Sequence, residues 1–187
     1  MDTSPARPCV AFAGTRLIAS DELATVARLA KATLDANANA QVLVLDAITS
    51  EPVEVDFRGT AADVVGRLTP PPQAPRSPGR PKLGVVGREV TLLPRHWEWL
   101  SGQPGGASVT LRKLVDSARR SSGEQDRQRL AREAAYRFMV AIAGNEPGFE
   151  EASRALFAGD RERFDAAVES WPPDVRARAR QLAAAGL

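Results

Sequence analysis

The chain has 187 residues, a formal net charge of +2, 43% hydrophobic, 26% charged and 5% aromatic residues. That is the composition of a globular protein with a mainly aliphatic core, and the length excludes a large multidomain enzyme. One cysteine, Cys9, and one histidine, His96, exclude an internal disulfide and the usual Cys/His zinc site. No window approaches the roughly 18 uninterrupted apolar residues of a membrane span, and the opening MDTSPARPCVAF is too short in its apolar part for a secretory signal, which predicts a cytoplasmic protein with no membrane partner.

The charges are unevenly placed. Residues 1–69 carry 6 Lys+Arg and 9 Asp+Glu, residues 70–120 carry 9 and 3, and residues 121–187 carry 10 and 11, so the net charges are −3, +6 and −1. A basic stretch between two mildly acidic ones points to a module that faces phosphate; a soluble basic linker is the alternative.

Residues 1–68 predict a small α+β domain in the order ββαββα. Val10 and Phe12 alternate with Cys9, Ala11 and Ala13, and Gly14-Thr15 turns the chain into Arg16-Leu17-Ile18, a hairpin. Ser20 or Asp21 caps a helix whose stripe is Leu23, Val26, Ala27, Ala30 and Leu34, closed by Asn37-Ala38-Asn39. Val42 to Leu45 is an apolar run suited to a buried strand. Val53, Val55 and Phe57 alternate with Glu54, Asp56 and Arg58 as a fourth strand with one wet face. Thr60 with Asp63 resembles a capping box ahead of Val64, Val65 and Leu68. The carboxylates Asp46, Glu51, Glu54 and Asp56 read as solvated charge, not as a metal or acid–base cluster. No phosphate loop or activated nucleophile accompanies them, so the chain reads as non-enzymatic, with no cofactor and no metal.

Residues 69–81, TPPPQAPRSPGRP, form a Pro-rich linker in which neither helix nor central strand persists. Gly79-Arg80-Pro81-Lys82 is similar to an AT-hook, whose arginines lie in the minor groove of A/T-rich DNA, although Pro78 stands where the hook has an arginine. Residues 82–120 then read, from Gly84, GVVGREVTLLPRHWEWLSGQPGGASVTLRKLVDSARR. A short strand, Arg88 to Leu93, meets Pro94 at the first turn of a helix carrying Trp97 and Leu100. Gly105-Gly106 turns the chain, and Ser108 caps a second helix with Leu111, Leu114, Val115 and Ala118 at helical spacing.

This order resembles a ribbon-helix-helix domain. The resemblance implies a homodimer in which one strand from each copy pairs antiparallel and enters the major groove of duplex DNA. With Leu93 turned inward, the groove face is Arg88, Val90 and Leu92. Backbone N–H groups near Ser108 and Thr110 would hold a phosphate, Arg112 and Lys113 would add charge, and Arg80 and Lys82 would reach the DNA from the preceding arm. The function implied is that of a transcriptional repressor or antitoxin-like autoregulator. The alternative is a protein-interaction protein whose middle segment is only a dimerisation clasp.

Residues 121–187 predict four short helices around a shared core. The first begins near Glu124, carries Leu130, Ala134, Phe138 and Ile142, and stops at Gly144-Asn145. The others carry Phe149 to Phe157, then Phe164 to Trp171, then Val175, Ala179 and Leu182. Arg176, Arg178 and Arg180 read as a solvated face. Taken together, GRPKLGVVGREVTLLPRHW, EAAYRFMVAIAG and PGFEEASRALFAGDRERF resemble an uncharacterised bacterial family catalogued as a domain of unknown function, a resemblance that spans nearly the whole chain and implies no activity or site.

Overall fold

A computed structural model describes residues 6–68 and 86–187; the Pro-rich stretch of residues 69–81, with Arg80, and Lys82 lie outside them. The protein is α+β, with one three-stranded antiparallel sheet and, among the described residues, seven helices. These form two compact units, residues 6–68 with 127–187, and residues 86–126.

In the first unit β1 (Pro8–Ala13) is the central strand, between β2 (Arg16–Glu22) and β3 (Val42–Asp46). The β1–β2 hairpin turns at Gly14, whose φ of 57° suits a residue without Cβ. A bulge shifts the register, so Ala11 faces Ala19 while Phe12 faces Leu17. Helix α1 (Leu23–Ala36) follows β2 with no intervening residue. Its N-cap is Glu22, without a side-chain cap bond, and not Ser20 or Asp21 as predicted, because β2 keeps those two residues in the ladder.

Period-two alternation gives β1 two buried faces. Cys9 and Ala11 pack with Leu23, Val26 and Ala30 of α1. Val10 and Phe12 point the other way and join a second cluster with Phe138, Met139, Leu156, Phe164, Trp171 and Val175. Phe12 and Phe138 meet with ring centroids 5.4 Å apart. Residues from both ends of the sequence therefore share this core. Its helices are the last part of α4 (Gly106–Ala143), then α5 (Phe149–Ala158), α6 (Arg161–Ala167) and α7 (Pro173–Ala183). Gly148, at φ 81°, is required where α5 begins: a Cβ there would stand 2.8 Å from the Ala167 carbonyl oxygen. Trp171 is anchored by its indole N–H, which donates to Pro147 O at 2.8 Å.

Two expected elements differ. The strand expected over Val53–Phe57 is reduced to an isolated bridge, Leu45 with Pro52, and one bond, Val53 N to Val44 O at 2.9 Å. Beyond it Arg67 of α2 (Ala61–Leu68) donates to the carbonyls of Asp56 and Arg58, and Asp56 turns its carboxylate onto Arg58, so those groups are not offered to a neighbouring strand. The order before α2 is thus ββα followed by a single strand. The predicted capping box of α2 is present: Thr60 N donates to Asp63 Oδ2 at 2.8 Å and Asp63 N to Thr60 Oγ1 at 3.2 Å. The second difference is α4, which runs unbroken through the stretch where one helix was expected to end near residue 120 and another to begin at Glu124. Ser121 and Ser122 stay helical by donating back to Ala118 O at 3.0 and 2.8 Å, and Gly123 alone costs a helix only about 1 kcal/mol.

Candidate nucleic-acid and dimer interface

Residues 86–93 carry no helix and no ladder bond and are exposed except for Leu92. Leu93 is extended, with φ −68° and ψ 151°, and it caps helix α3 (Pro94–Ser101), whose first residue is the proline that needs no N–H partner. The Leu93 carbonyl accepts from His96 N at 2.8 Å. Gly102 ends α3; Gly105 and Gly106, at φ 87° and 74°, make the left-handed turn that starts α4. The helix therefore begins two residues before Ser108, and Ser108 lies in its first turn instead of capping it.

The inward face of α3 is set by Leu100, which is buried, with His96 and Trp99 beside it. Together with Leu92 and with Leu111 and Leu114 of α4 they line an apolar groove of about 260 Å³. Trp97 was expected in this stripe. It is 41% exposed and does not line the groove, where His96 and Trp99 stand beside Leu100 instead.

The predicted site residues divide accordingly. Arg88 and Val90 are exposed, and Leu92 is half-buried on the groove, with Leu93 48% exposed. Ser108 is exposed at the start of α4 and Thr110 is half-buried. Arg112 folds back along the helix: its Nε donates to Ser108 O at 3.1 Å and its second nitrogen to Ser108 Oγ at 3.3 Å. No acidic residue occupies the first turn of α4, so Arg112 and the free N–H groups give that end positive potential. Lys113 is exposed beside it.

Of the other charged groups singled out in the sequence, Glu51 and Glu54 are exposed, as read, while Asp46 and the arginines of α7 are engaged within the first unit. Asp46, read as a solvated strand end, is buried: Arg7 Nε donates to Oδ2 at 2.6 Å, and Ile48 N and Thr49 N donate to Oδ1 at 2.8 and 2.7 Å. Burial pushes its carboxyl up, but the Thr49 N–H, Arg7 and the Ile48 N–H outweigh it and hold it below the usual range. The arginines of α7 are not a free face either. Arg176 pairs with Glu169 at 3.1 Å and Arg180 with Asp165 and Glu169 at 2.9 and 2.7 Å, while Arg178 donates to the Ala47 carbonyl and to Gln181. Among the described residues no three His, Cys, Asp or Glu side chains are gathered as metal ligands, and no helix is long and apolar enough to cross a membrane.

Residues 8–183 match the model of a family described as "Uncharacterized protein conserved in bacteria (DUF2239)". Neither the curated proteins nor the solved structures yield a match.

Proposed function

The chain belongs to that bacterial family, and we propose that it is a dimeric DNA-binding regulator, a transcriptional repressor or antitoxin-like autoregulator, in which residues 88–93 of two copies pair as a ribbon in the major groove. The observation that carries this reading is the uncovered apolar surface of the second unit. Val90, Leu93, Trp97, Trp99, Leu114 and Val115 are between 41% and 55% exposed on a unit of about forty described residues. Such a surface calls for a partner, and an extended segment with unused N–H and C=O groups calls for a strand. A second copy supplies both.

DNA is the favoured ligand because residues 70–120 carry the net charge of +6 and because the start of α4 combines free N–H groups, Ser108, Thr110, Arg112 and Lys113 with no acid in its first turn. In the ribbon, Arg88, Val90 and Leu92 face the bases. The placement of Leu92 against Leu100, Leu111 and Leu114 favours a second reading, a dimerisation clasp that reads no sequence, since a side chain in the groove of its own copy does not reach a thymine methyl.

Arg88→Ala separates the two. As a base reader, Arg88 makes two bonds to guanine, and its loss removes about 1–3 kcal/mol from the preferred duplex while sparing scrambled DNA. Titration of both proteins against preferred and scrambled duplexes at two salt concentrations measures this. Equal weakening on both duplexes supports the clasp, and no binding at low salt removes DNA from the proposal.

A further inference from the structure

The part of α4 in the first unit buries Ala134, Ala135, Phe138, Met139 and Ala143 and turns a second face outward. That face is apolar at its ends and charged in the middle. Leu130 and Val140 are 54% and 51% exposed, and between them stand Glu133 and Arg137, both half-buried. Shallow grooves flank it. One, of about 490 Å³, runs past Leu130, Arg137 and the loop residues Ile48 and Thr49; the other, of about 510 Å³, runs past Val140, Tyr136, Pro52 and Phe157.

We propose that this face binds the same face of a second copy, with the two α4 helices antiparallel and the two-fold axis passing at residue 135. The spacing carries the inference. Leu130 and Val140 are equidistant from residue 135, and so are Glu133 and Arg137. An antiparallel pair centred there sets Leu130 against the partner's Val140 and Glu133 against the partner's Arg137, and the symmetry makes each contact twice. Parallel pairing would instead set Glu133 beside the partner's Glu133. Each flanking groove then receives one apolar knob, Val140 from the partner in the first and Leu130 from the partner in the second.

The walls of this interface are already rigid. Arg137 and Arg178 donate to the carbonyls of Thr49 and Ala47, and the Asp46 carboxylate accepts from Ile48 N and Thr49 N, so the loop that holds Ile48, 70% exposed, is fixed before any partner arrives. Glu133 also accepts from Arg129 at 2.8 Å and keeps 41% of its side chain exposed, enough for a second cation.

This contact is independent of the ribbon proposed above, and sedimentation of the full chain tells them apart. In a Thr91→Pro background, which removes the ribbon, the chain is expected to remain a dimer, and adding Val140→Glu halves the sedimenting mass. Glu133→Arg and Arg137→Glu, each in that background, are expected to be monomeric alone and to form a heterodimer when mixed, because both cross-pairs become complementary again. Misfolding cannot produce rescue by mixing. A monomeric Thr91→Pro chain, a mass unmoved by Val140→Glu, or two charge variants that ignore each other would overturn the proposal. A failure of the ribbon shows separately: Thr91→Pro then changes nothing and Val140→Glu alone yields the monomer.

Discussion

Asp46→Ala tests the part of the fold that was least expected from the sequence. Asp46 is 7% exposed, and its carboxylate accepts three bonds, from Arg7 at 2.6 Å and from the backbone of Ile48 and Thr49 at 2.8 and 2.7 Å. The two N–H groups lie in a partly buried loop that Arg137 and Arg178 also hold through the Thr49 and Ala47 carbonyls, so removing the carboxylate takes away their acceptor. Arg7, with 15% of its side chain exposed, also loses its 2.6 Å ion pair, and together these losses are expected to cost about 1–3 kcal/mol. The folded carboxyl lies below its unfolded value of about 3.9, so its contribution is complete above that pH and is lost as pH falls through the folded value. Urea unfolding followed by circular dichroism measures both effects. The gap between wild type and Asp46→Asn is expected to be wide at about pH 6 and to close as the pH falls through the folded value. An Asp46→Ala protein within about 1 kcal/mol of wild type, or a gap to Asn that does not narrow in acid, would refute the argument.

Gly148→Ala forces a side chain onto φ 81° and within 2.8 Å of the Ala167 carbonyl oxygen, and is expected to cost about 1–3 kcal/mol in a thermal melt; an unchanged melt shows that the α5 entry relaxes. Cys9 is fully buried, and burial pushes its thiol up to about 11, so a maleimide is expected to label it only in denaturant; rapid labelling of the native chain contradicts the buried central strand. Replacing Arg80 and Lys82 with alanine is expected to weaken all duplexes alike and to reduce the salt slope by about one per lost phosphate contact. A sequence-selective loss would assign base reading to the arm.

The elements that were legible in the sequence are those whose signal is local. Val10 and Phe12 announce a strand by alternation, Leu23 to Ala30 a helix by period, and Thr60 with Asp63 a cap by reciprocal hydrogen bonding. What was hidden depends on partners distant in sequence. Val53 to Phe57 alternates like a strand, yet the carbonyls of Asp56 and Arg58 are taken by Arg67, eleven and nine residues on. Asp46 looks like surface charge until Arg7 arrives 39 residues away. The arginines of α7 look solvated until Asp165 and Glu169 are placed beside them. At the candidate interface the turn, the proline start and the α4 stripe were readable, but which of His96 and Trp97 lines the groove was not. Both are spaced to meet Leu100, and only the packing against Leu111 and Leu114 selects one.

Between residues 116 and 129 helix α4 has no buried side chain and is held by its own polar pairs, such as Ser122 with Asp126 at 3.0 Å. The ribbon and the α4 contact proposed above are both isologous, each setting the same surface of two copies face to face. Two different isologous contacts on one chain either close into a tetramer with two ribbons or propagate as an open assembly, depending on the angle between their axes. A closed tetramer has a mass that stops rising with concentration, and presents two ribbons to one DNA at high effective concentration. On a duplex with two half-site pairs, Val140→Glu is then expected to reduce affinity and to leave binding to a single pair unchanged.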